Sequence, residues 1–286
     1  MNWPGAGYLL LTTVLWGTNW PVMKFLFTEL PPFTARALSC LAAFALVLGV
    51  ALVRGDRLMP PKGQWRRLLT SAVLNFAAWM TLTAVGLAWL RASETAILAY
   101  TLSIWTVLLA RPLLGEPITA VRALGLVLGF SGMALLVGAE SPAAAWAKLP
   151  GVVATLAAAM LFALGTVLAK RAPLTMPPFA AVSWQTAIGA LPLAIGTLFE
   201  RADLHAVDAA GGLAVLTSGM LSNGLGYITW FAALRRLPAS VVSIGSLLAP
   251  VIGVVSSALA LGEPLGWREA GALTLTLSGV AIASRR

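Results

Sequence analysis

Charge is scarce in this sequence. Only 10% of the 286 residues are charged, 59% are hydrophobic, and the mean hydropathy is +0.89. A soluble domain carries roughly 25% charged and 45–50% apolar residues, so a soluble globular protein, a disordered chain and a fibrous repeat are excluded. A single cysteine, Cys40, excludes an intrachain disulfide. The class that remains is a polytopic helical membrane protein.

Patterns of catalysis and of metal binding are also missing. The sequence has one histidine, His205, and no phosphate-binding loop, no His-Glu-x-x-His motif and no nucleophile elbow. We therefore predict a protein that is not an enzyme, with no catalytic residue, cofactor or metal. No Asp, Glu or His lies in the middle of an apolar segment, which argues against a buried proton relay. This pattern favours facilitated diffusion or exchange without ATP.

Ten apolar segments are long enough to cross a bilayer, which requires about 20 residues each. They predict an all-α fold with ten transmembrane helices, and short linkers with turn-forming residues separate them. The segments lie at roughly 4–27, 33–53, 67–89, 93–113, 118–138, 149–170, 178–199, 210–234, 238–261 and 267–284.

The net charge of +9 follows from membrane topology better than from nucleic-acid binding. If the N-terminus is inside, 13 of the 19 Lys and Arg residues lie in inner loops or at the C-terminus, and 6 lie outside. Inner loops of membrane proteins are enriched in cations. We therefore predict cytoplasmic N- and C-termini, a lipid bilayer as the surroundings and no nucleic-acid partner.

An internal repeat sets the predicted architecture. Leu-Gly-Glu-Pro at 114–117 recurs 147 positions later, at 261–264. The repeat divides the chain into two five-helix domains, 1–140 and 141–286. Because five is odd, the second copy enters the membrane from the opposite side, which is a common plan of secondary transporters. Two such halves predict alternating access around a site near the midplane, and a channel or scaffold is the alternative.

The opening motif resembles a known family. Residues 15–24 read Leu-Trp-Gly-Thr-Asn-Trp-Pro-Val-Met-Lys, and together with the two Gly-Glu-Pro turns they resemble the EamA-domain family of the drug/metabolite transporter superfamily. The resemblance covers nearly the whole chain and implies export of small solutes across the bacterial inner membrane, as by the YddG-type amino-acid exporters. Two features depart from the family: Ser39 replaces an arginine, with Arg36 a turn earlier, and no proline lies near Ser103.

Polar and aromatic side chains recur at helical spacing in six segments, the first, third and fourth and their counterparts, the sixth, eighth and ninth. Such groups are costly against lipid, so they predict a central cavity in which rings stack on a solute and amides and hydroxyls hold its amino and carboxylate groups. Serine and threonine hydroxyls in such helices often bond the backbone instead. The candidate substrate-binding residues are Trp16, Asn19, Trp20, Asn75, Trp79, Tyr100, Thr101, Trp105, Phe162, Thr166, Asn223, Tyr227, Trp230, Ser243 and Ser246.

The lining of this predicted cavity is nearly neutral and rich in aromatic rings. It favours aromatic or neutral amino acids and related compounds as the small-molecule substrate. A phosphate-bearing solute, such as a sugar phosphate or nucleotide sugar, requires several deep cations. Only Lys24 and Lys170 qualify, and both are also able to extend to the membrane interface. That solute class and a non-saturable channel are the alternatives.

Two further patterns concern packing. Glu116 and Glu263 precede prolines, where a carboxylate is predicted to cap a helix start. Gly125 and Gly129 form a Gly-x-x-x-Gly step that predicts close helix packing. This step lies either within one chain or at a dimer face, so a monomer and a homodimer both stay open.

Overall fold

The computed structural model describes residues 3–90, 95, 98–136 and 148–261, with scattered positions between 266 and 282. Within these residues the regular structure is helical and there is no strand. The predicted segment at 267–284 falls largely outside the described residues. The helices are α1 (Trp3–Glu29), α2 (Pro32–Val53), α3 (Trp65–Trp89), α4 (Leu102–Leu114), α5 (Ala120–Leu136), α6 (Leu149–Arg171), α7 (Pro178–Thr197), α8 (Ala209–Leu216, Thr217–Leu225 and Gly226–Arg236 in succession), α9 (Ala239–Gly245) and α10 (Leu248–Leu261).

The turn-forming residues of the linkers begin and end these helices. Pro32 and Pro178 occupy the first positions of α2 and α7, where the missing N–H has no intrahelical partner to lose. Gly115 ends α4 with a φ of +71°, a left-handed conformation that glycine adopts without a Cβ penalty. Short connections therefore place successive helices side by side.

The bundle has the composition of an integral membrane protein. Four described helices, α2, α3, α6 and α7, combine the length and the apolarity needed to cross a bilayer. Large apolar side chains face outward, as at Val53, Leu191 and Phe199, whose exposed fractions are 91%, 63% and 86%. Lipid tails can cover such surfaces without cost. The total of ten spans stays a prediction.

The predicted segment 238–261 is not one continuous helix. It breaks between α9 and α10, because Pro250 has no N–H to donate to the carbonyl of Ser246. The amide of Ala249 donates to that carbonyl instead, at 2.9 Å. A similar break occurs at Thr101, immediately before α4 and without a proline. The fourth and ninth predicted segments thus both contain an interruption.

Two glutamates cap helix starts in the opposite half of the chain. Glu116, which follows α4, accepts hydrogen bonds from the amides of Ala239 (2.8 Å) and Ser240 (3.3 Å) at the start of α9. Glu200, which follows α7, accepts from the amides of Phe33 (2.9 Å) and Thr34 (2.8 Å) at the start of α2. Carboxylates at these positions satisfy free amides and the positive end of the helix dipole.

The expectation of a glutamate cap is confirmed for Glu116, with one correction. The capped helix is α9, in the other half of the chain, and not the helix that follows its own turn. Glu263 lies outside the described residues.

The Gly-x-x-x-Gly step of α5 packs within the same chain. A Cβ built on Gly279 would lie 2.6 Å from the carbonyl oxygen of Gly125 and 2.9 Å from the amide nitrogen of Gly129. The missing side chains therefore allow two backbones of one chain to approach each other closely.

Removing either capping carboxylate should destabilise the protein. We expect Glu116→Ala and Glu200→Ala each to lower the free energy of unfolding by about 1–3 kcal/mol, because charge-assisted hydrogen bonds to helix-start amides are lost. Thermal unfolding of the purified protein in detergent measures the effect. Asp203→Ala is the matched control, since Asp203 is exposed and accepts from the amide of His205 in a short turn. An equal loss in the control would contradict the interpretation.

Candidate functional site

Five aromatic side chains from four helices meet in the middle of the bundle. They are Trp16 of α1, Phe76 of α3, Phe162 of α6 and Tyr227 and Trp230 of α8. Ring centroids are 4.5 Å apart for Phe76 and Tyr227 and 5.0 Å apart for Trp16 and Trp230. Each ring except that of Trp16 is at most 1% exposed. We call this cluster the aromatic plug.

The aromatic plug separates two cavities. One is small, about 90 Å³, and the other, which we call the basic vestibule, is about 550 Å³. Along α1, Tyr8 lines the basic vestibule and Trp20 lines the small cavity. Along α8, Asn223 lines the small cavity and Phe231 lines the basic vestibule. Trp230 immediately precedes Phe231 in the chain. The aromatic plug thus lies between the two cavities, and its members Trp16 and Tyr227 also line the small one.

Corresponding helices of the two halves run in opposite directions between these cavities. Helix α1 runs from the basic vestibule toward the small cavity, whereas α6 ends at the basic vestibule with Lys170. Helix α2 runs from Arg36 at the small cavity to Arg54 at the basic vestibule, whereas α7 starts there at Pro178. Helices α3 and α8 are likewise antiparallel, since their vestibule-lining residues come first in α3 and last in α8.

A π-helical segment interrupts both α3 and α8 beside the aromatic plug. The segments are Ala72–Ala77 and Thr217–Leu225. Such segments widen the backbone hydrogen-bond pattern locally and occur often at functional sites. The carbonyl of Asn75 accepts from the hydroxyl of Tyr227 at 2.8 Å, and the carbonyl of Ser222 accepts from Trp16 Nε1 at 3.1 Å. The two acceptors are 147 positions apart, the same spacing as the sequence repeat.

The side chain of Asn75 joins α3 to α6. Its Nδ2 donates to the carbonyl of Phe162 at 3.0 Å and is 3.3 Å from Thr166 Oγ1. Its Oδ1 accepts from Ser71, whose hydroxyl in turn accepts from Gln185 Nε2 at 2.9 Å. In this conformation the amide of Asn75 is committed to neighbouring helices and does not face either cavity.

The structure brings most of the candidate residues together, in three settings. Seven line the small cavity, two belong to the aromatic plug without lining a cavity, and two lie at the contact between α3 and α6. In that order they are Trp16, Asn19, Trp20, Trp79, Tyr100, Asn223 and Tyr227; Phe162 and Trp230; and Asn75 and Thr166.

Four candidates line neither described cavity. The hydroxyls of Thr101, Ser243 and Ser246 donate to backbone carbonyls three residues earlier in the chain. These bonds satisfy the hydroxyls locally, as is common in membrane helices. Trp105 packs against the main hydrophobic core.

Sequence reasoning missed Phe76 of the aromatic plug and several residues that line the small cavity, among them Arg36, Met80 and Thr83. Phe76 carries no signal that distinguishes it from an ordinary apolar residue. Arg36 lies at the start of the apolar segment 33–53, where a cation is costly. That position was the signal that could have identified it.

Cations surround the basic vestibule, but several of them donate to backbone carbonyls. Lys170 Nζ donates to the carbonyls of Leu234 and Leu237 at 2.7 and 2.8 Å. Arg235 donates to the carbonyl of Leu174 at 2.8 Å. Cations near the last carbonyls of a helix offset its dipole. The basic residues that line this vestibule are Arg54, Arg66, Arg67, Lys170, Arg171, Arg235 and Arg236.

A helical bundle with cavities on both sides of a central barrier defines the class of protein, a membrane transporter. The sequence profile of the EamA-like transporter family matches the chain twice, at residues 3–138 and 149–285. The chain belongs to this family, which lies within the drug/metabolite transporter superfamily.

Two relatives that match most of the chain carry the names of transporters. The "Uncharacterized transporter YvbV" of Bacillus subtilis is 27% identical over 97% of this chain and 90% of its own length. The "Probable amino-acid metabolite efflux pump" of Salmonella typhimurium is 29% identical over 96% of this chain and 93% of its own length. A chain of known crystal structure has a TM-score of 0.82 at 21% identity, over 98% of this chain and 96% of that chain. That likeness supports the fold alone.

Close contact between α8 and Trp16 depends on a glycine. A Cβ on Gly226 would lie 2.6 Å from Trp16 Nε1, so we expect Gly226→Ala to displace the indole from the carbonyl of Ser222. The expected loss is about 1–3 kcal/mol in the free energy of unfolding, measured by thermal unfolding in detergent. Gly212→Ala, also in α8, is the control, since nothing lies within 4 Å of its Cβ. Equal stability of the two variants would contradict this prediction.

Proposed function

We propose that this protein is a secondary transporter that exports small metabolites, with aromatic or neutral amino acids and related compounds as the most suitable class. The observation that carries the proposal is the aromatic plug between two cavities at opposite ends of the bundle. A solute enters from one cavity, passes the plug region when the halves rearrange, and leaves through the other. Transport of this kind is alternating access.

The opposite directions of corresponding helices support an inverted repeat, with residues 1–140 and 141–286 as the two five-helix domains. Two halves related in this way have two equivalent arrangements, one open to each side. The ten-helix count belongs to the same proposal. In the arrangement described here, the larger opening is the basic vestibule.

The chemistry of the small cavity supports the solute class. Aromatic rings of Trp16, Trp20 and Trp79 share this cavity with the amides of Asn19 and Asn223. Rings offer stacking surfaces to an apolar or flat side chain, and amides offer hydrogen bonds to amino and carboxylate groups. The name of the Salmonella typhimurium relative also mentions amino-acid metabolites.

Two other functions compete with this proposal. The cations around the basic vestibule favour a phosphate-bearing solute, such as a sugar phosphate or nucleotide sugar. The contacts of Lys170 and Arg235 with backbone carbonyls reduce the weight of that observation. A non-saturable channel is the second competitor, and the tightly packed plug argues against it.

Membrane orientation follows from the distribution of cations. We propose that the basic vestibule faces the cytoplasm of a bacterium, with both termini on that side of the inner membrane. Because the middle of the apolar segments contains no acidic residue, the proposed mode is facilitated diffusion or exchange, without proton coupling. The assembly state within the bilayer is a monomer or a homodimer.

Counterflow in liposomes tests the function and the solute class together. We expect saturable counterflow of radiolabelled phenylalanine or tryptophan, unchanged by a pH gradient, because rings and amides of the small cavity match these solutes. Acceleration by a pH gradient would contradict the uncoupled mode. Counterflow of a sugar phosphate alone would contradict the solute class, and non-saturable flux would support a channel.

The aromatic plug should be the barrier to uncoupled movement. We expect Phe162→Ala to lower the free energy of unfolding by about 3–5 kcal/mol, because the ring packs against Trp16 and Trp230. The variant should also let solute leave loaded liposomes when the outside buffer contains no solute to exchange. Leakage from loaded liposomes measures this, and Phe162→Leu serves if the Ala variant does not fold. Phe199→Ala, whose ring is 86% exposed, is the control. Equally tight liposomes for all variants would contradict the plug as barrier.

A further inference from the structure

Arg36 is a cation of the small cavity that has no acidic partner among the described residues. Its Nη1 donates to the sulfur of Met80 at 3.2 Å, and its Nε is enclosed without a hydrogen-bond partner. The titratable groups that act on the guanidinium are the thiol of Cys40 and the phenol of Tyr227, which are neutral near pH 7. The nearby carboxylate of Glu200 has both oxygens engaged at the start of α2.

A half-buried arginine with an enclosed and unpaired Nε is costly. A thioether sulfur is a weak acceptor, and a cation removed from water is stabilised only by an opposite charge or by several good acceptors. The guanidinium has a planar set of donors that matches the two oxygens of a carboxylate. An anionic group that enters the small cavity would therefore supply the missing partner.

Asn19 presents the opposite need in the same cavity. Its Oδ1 is enclosed and has no hydrogen-bond partner among the described residues. A carbonyl oxygen accepts only, so the complementary group is a donor such as an ammonium. One enclosed donor and one enclosed acceptor in a single cavity match a zwitterionic head group.

The size of the small cavity limits what it can hold in this arrangement. At about 90 Å³, it is far below the roughly 300–1,000 Å³ of pockets that enclose a drug-sized ligand. A head group fits such a space, whereas a whole aromatic amino acid does not. The rings of Trp16, Trp20 and Trp79 line the cavity and would contact the side chain once the plug region rearranges.

We propose that Arg36 and Asn19 form a head-group site for an α-amino acid, in which Arg36 binds the carboxylate and Asn19 Oδ1 accepts from the ammonium. This inference rests on the proposed function, because it names the chemical feature by which the transporter selects its solute. It assigns to this site solutes that carry a carboxylate.

The test is ligand binding by the purified full-length protein in detergent, read as the ligand-dependent shift in thermal unfolding temperature. The probes are L-phenylalanine, 3-phenylpropionate without the amine, and phenethylamine without the carboxylate. For Arg36→Gln we expect affinity for both carboxylate probes to fall about 10- to 100-fold, the loss expected for a charge-assisted hydrogen-bonded pair. Phenethylamine binding should change little.

Two further variants separate charge, geometry and folding. Arg36→Lys keeps the charge but lacks the planar set of donors, so it should recover part of the carboxylate affinity. Arg201→Gln removes one exposed cation, next to Glu200, which caps α2 at the same end of the bundle, and should bind as the unmodified protein does. The ratio of phenylalanine to phenethylamine affinity does not depend on the folded fraction, so it stays informative for a weakened variant.

The inference is overturned if Arg36→Gln binds 3-phenylpropionate as the unmodified protein does, or if no carboxylate probe binds the unmodified protein. Its failure and that of the proposed function are distinguishable. Arg36-dependent binding without any counterflow would support the head-group site and contradict the transport proposal. Phenylalanine counterflow with an unchanged KM in Arg36→Gln would support transport and contradict the head-group site.

Discussion

A backbone carbonyl that is released inside a membrane helix needs a donor, because the hydrocarbon region contains no water to supply one. In the π-helical segments of α3 and α8, the carbonyls of Asn75 and Ser222 accept from the side chains of Tyr227 and Trp16. These bonds hold two rings of the aromatic plug against the backbone of the opposite half of the chain. The separation of the two cavities depends on this constraint, since the other plug rings pack on these two.

The halves of the chain are also joined at each end of the bundle. Glu116 caps α9 near the basic vestibule, and Glu200 caps α2 near the small cavity. These charged carboxylates join the halves at helix termini close to water. In the middle of the bundle, the halves are joined by the aromatic rings and neutral hydrogen bonds of the plug. The placement follows the cost of burying charge, which is greatest at the centre of the membrane. Arg36, one turn into α2, has an enclosed Nε without a partner among the described residues, which matches an anionic solute.

Helix positions were predictable because length and apolarity are local properties of the chain. The segments 33–53, 149–170 and 178–199 coincide closely with α2, α6 and α7. The segment 238–261 breaks into α9 and α10 because of Pro250, and the apolarity of the segment gives no sign of this interruption of the helical hydrogen bonds. The π-helical segments of α3 and α8 have no sequence signature as strong as the length and apolarity that identify a membrane helix.

The candidate face was predictable as a set, since polar and aromatic groups in apolar segments must turn away from lipid. Their pairing was not predictable, because each partner lies far along the chain: Asn75 bonds to residues of α6, and Tyr227 bonds to α3. Composition and periodicity therefore predicted a helical membrane protein with an aromatic interior, and the recurring Leu-Gly-Glu-Pro motif predicted its duplication. Three-dimensional packing alone selected which polar atoms satisfy one another and which, as at Arg36 Nε and Asn19 Oδ1, have no partner among the described residues. The physical reason is that the need of a side chain to avoid lipid depends on its own polarity. Whether its polar atoms find hydrogen-bond partners depends instead on which helix packs against it.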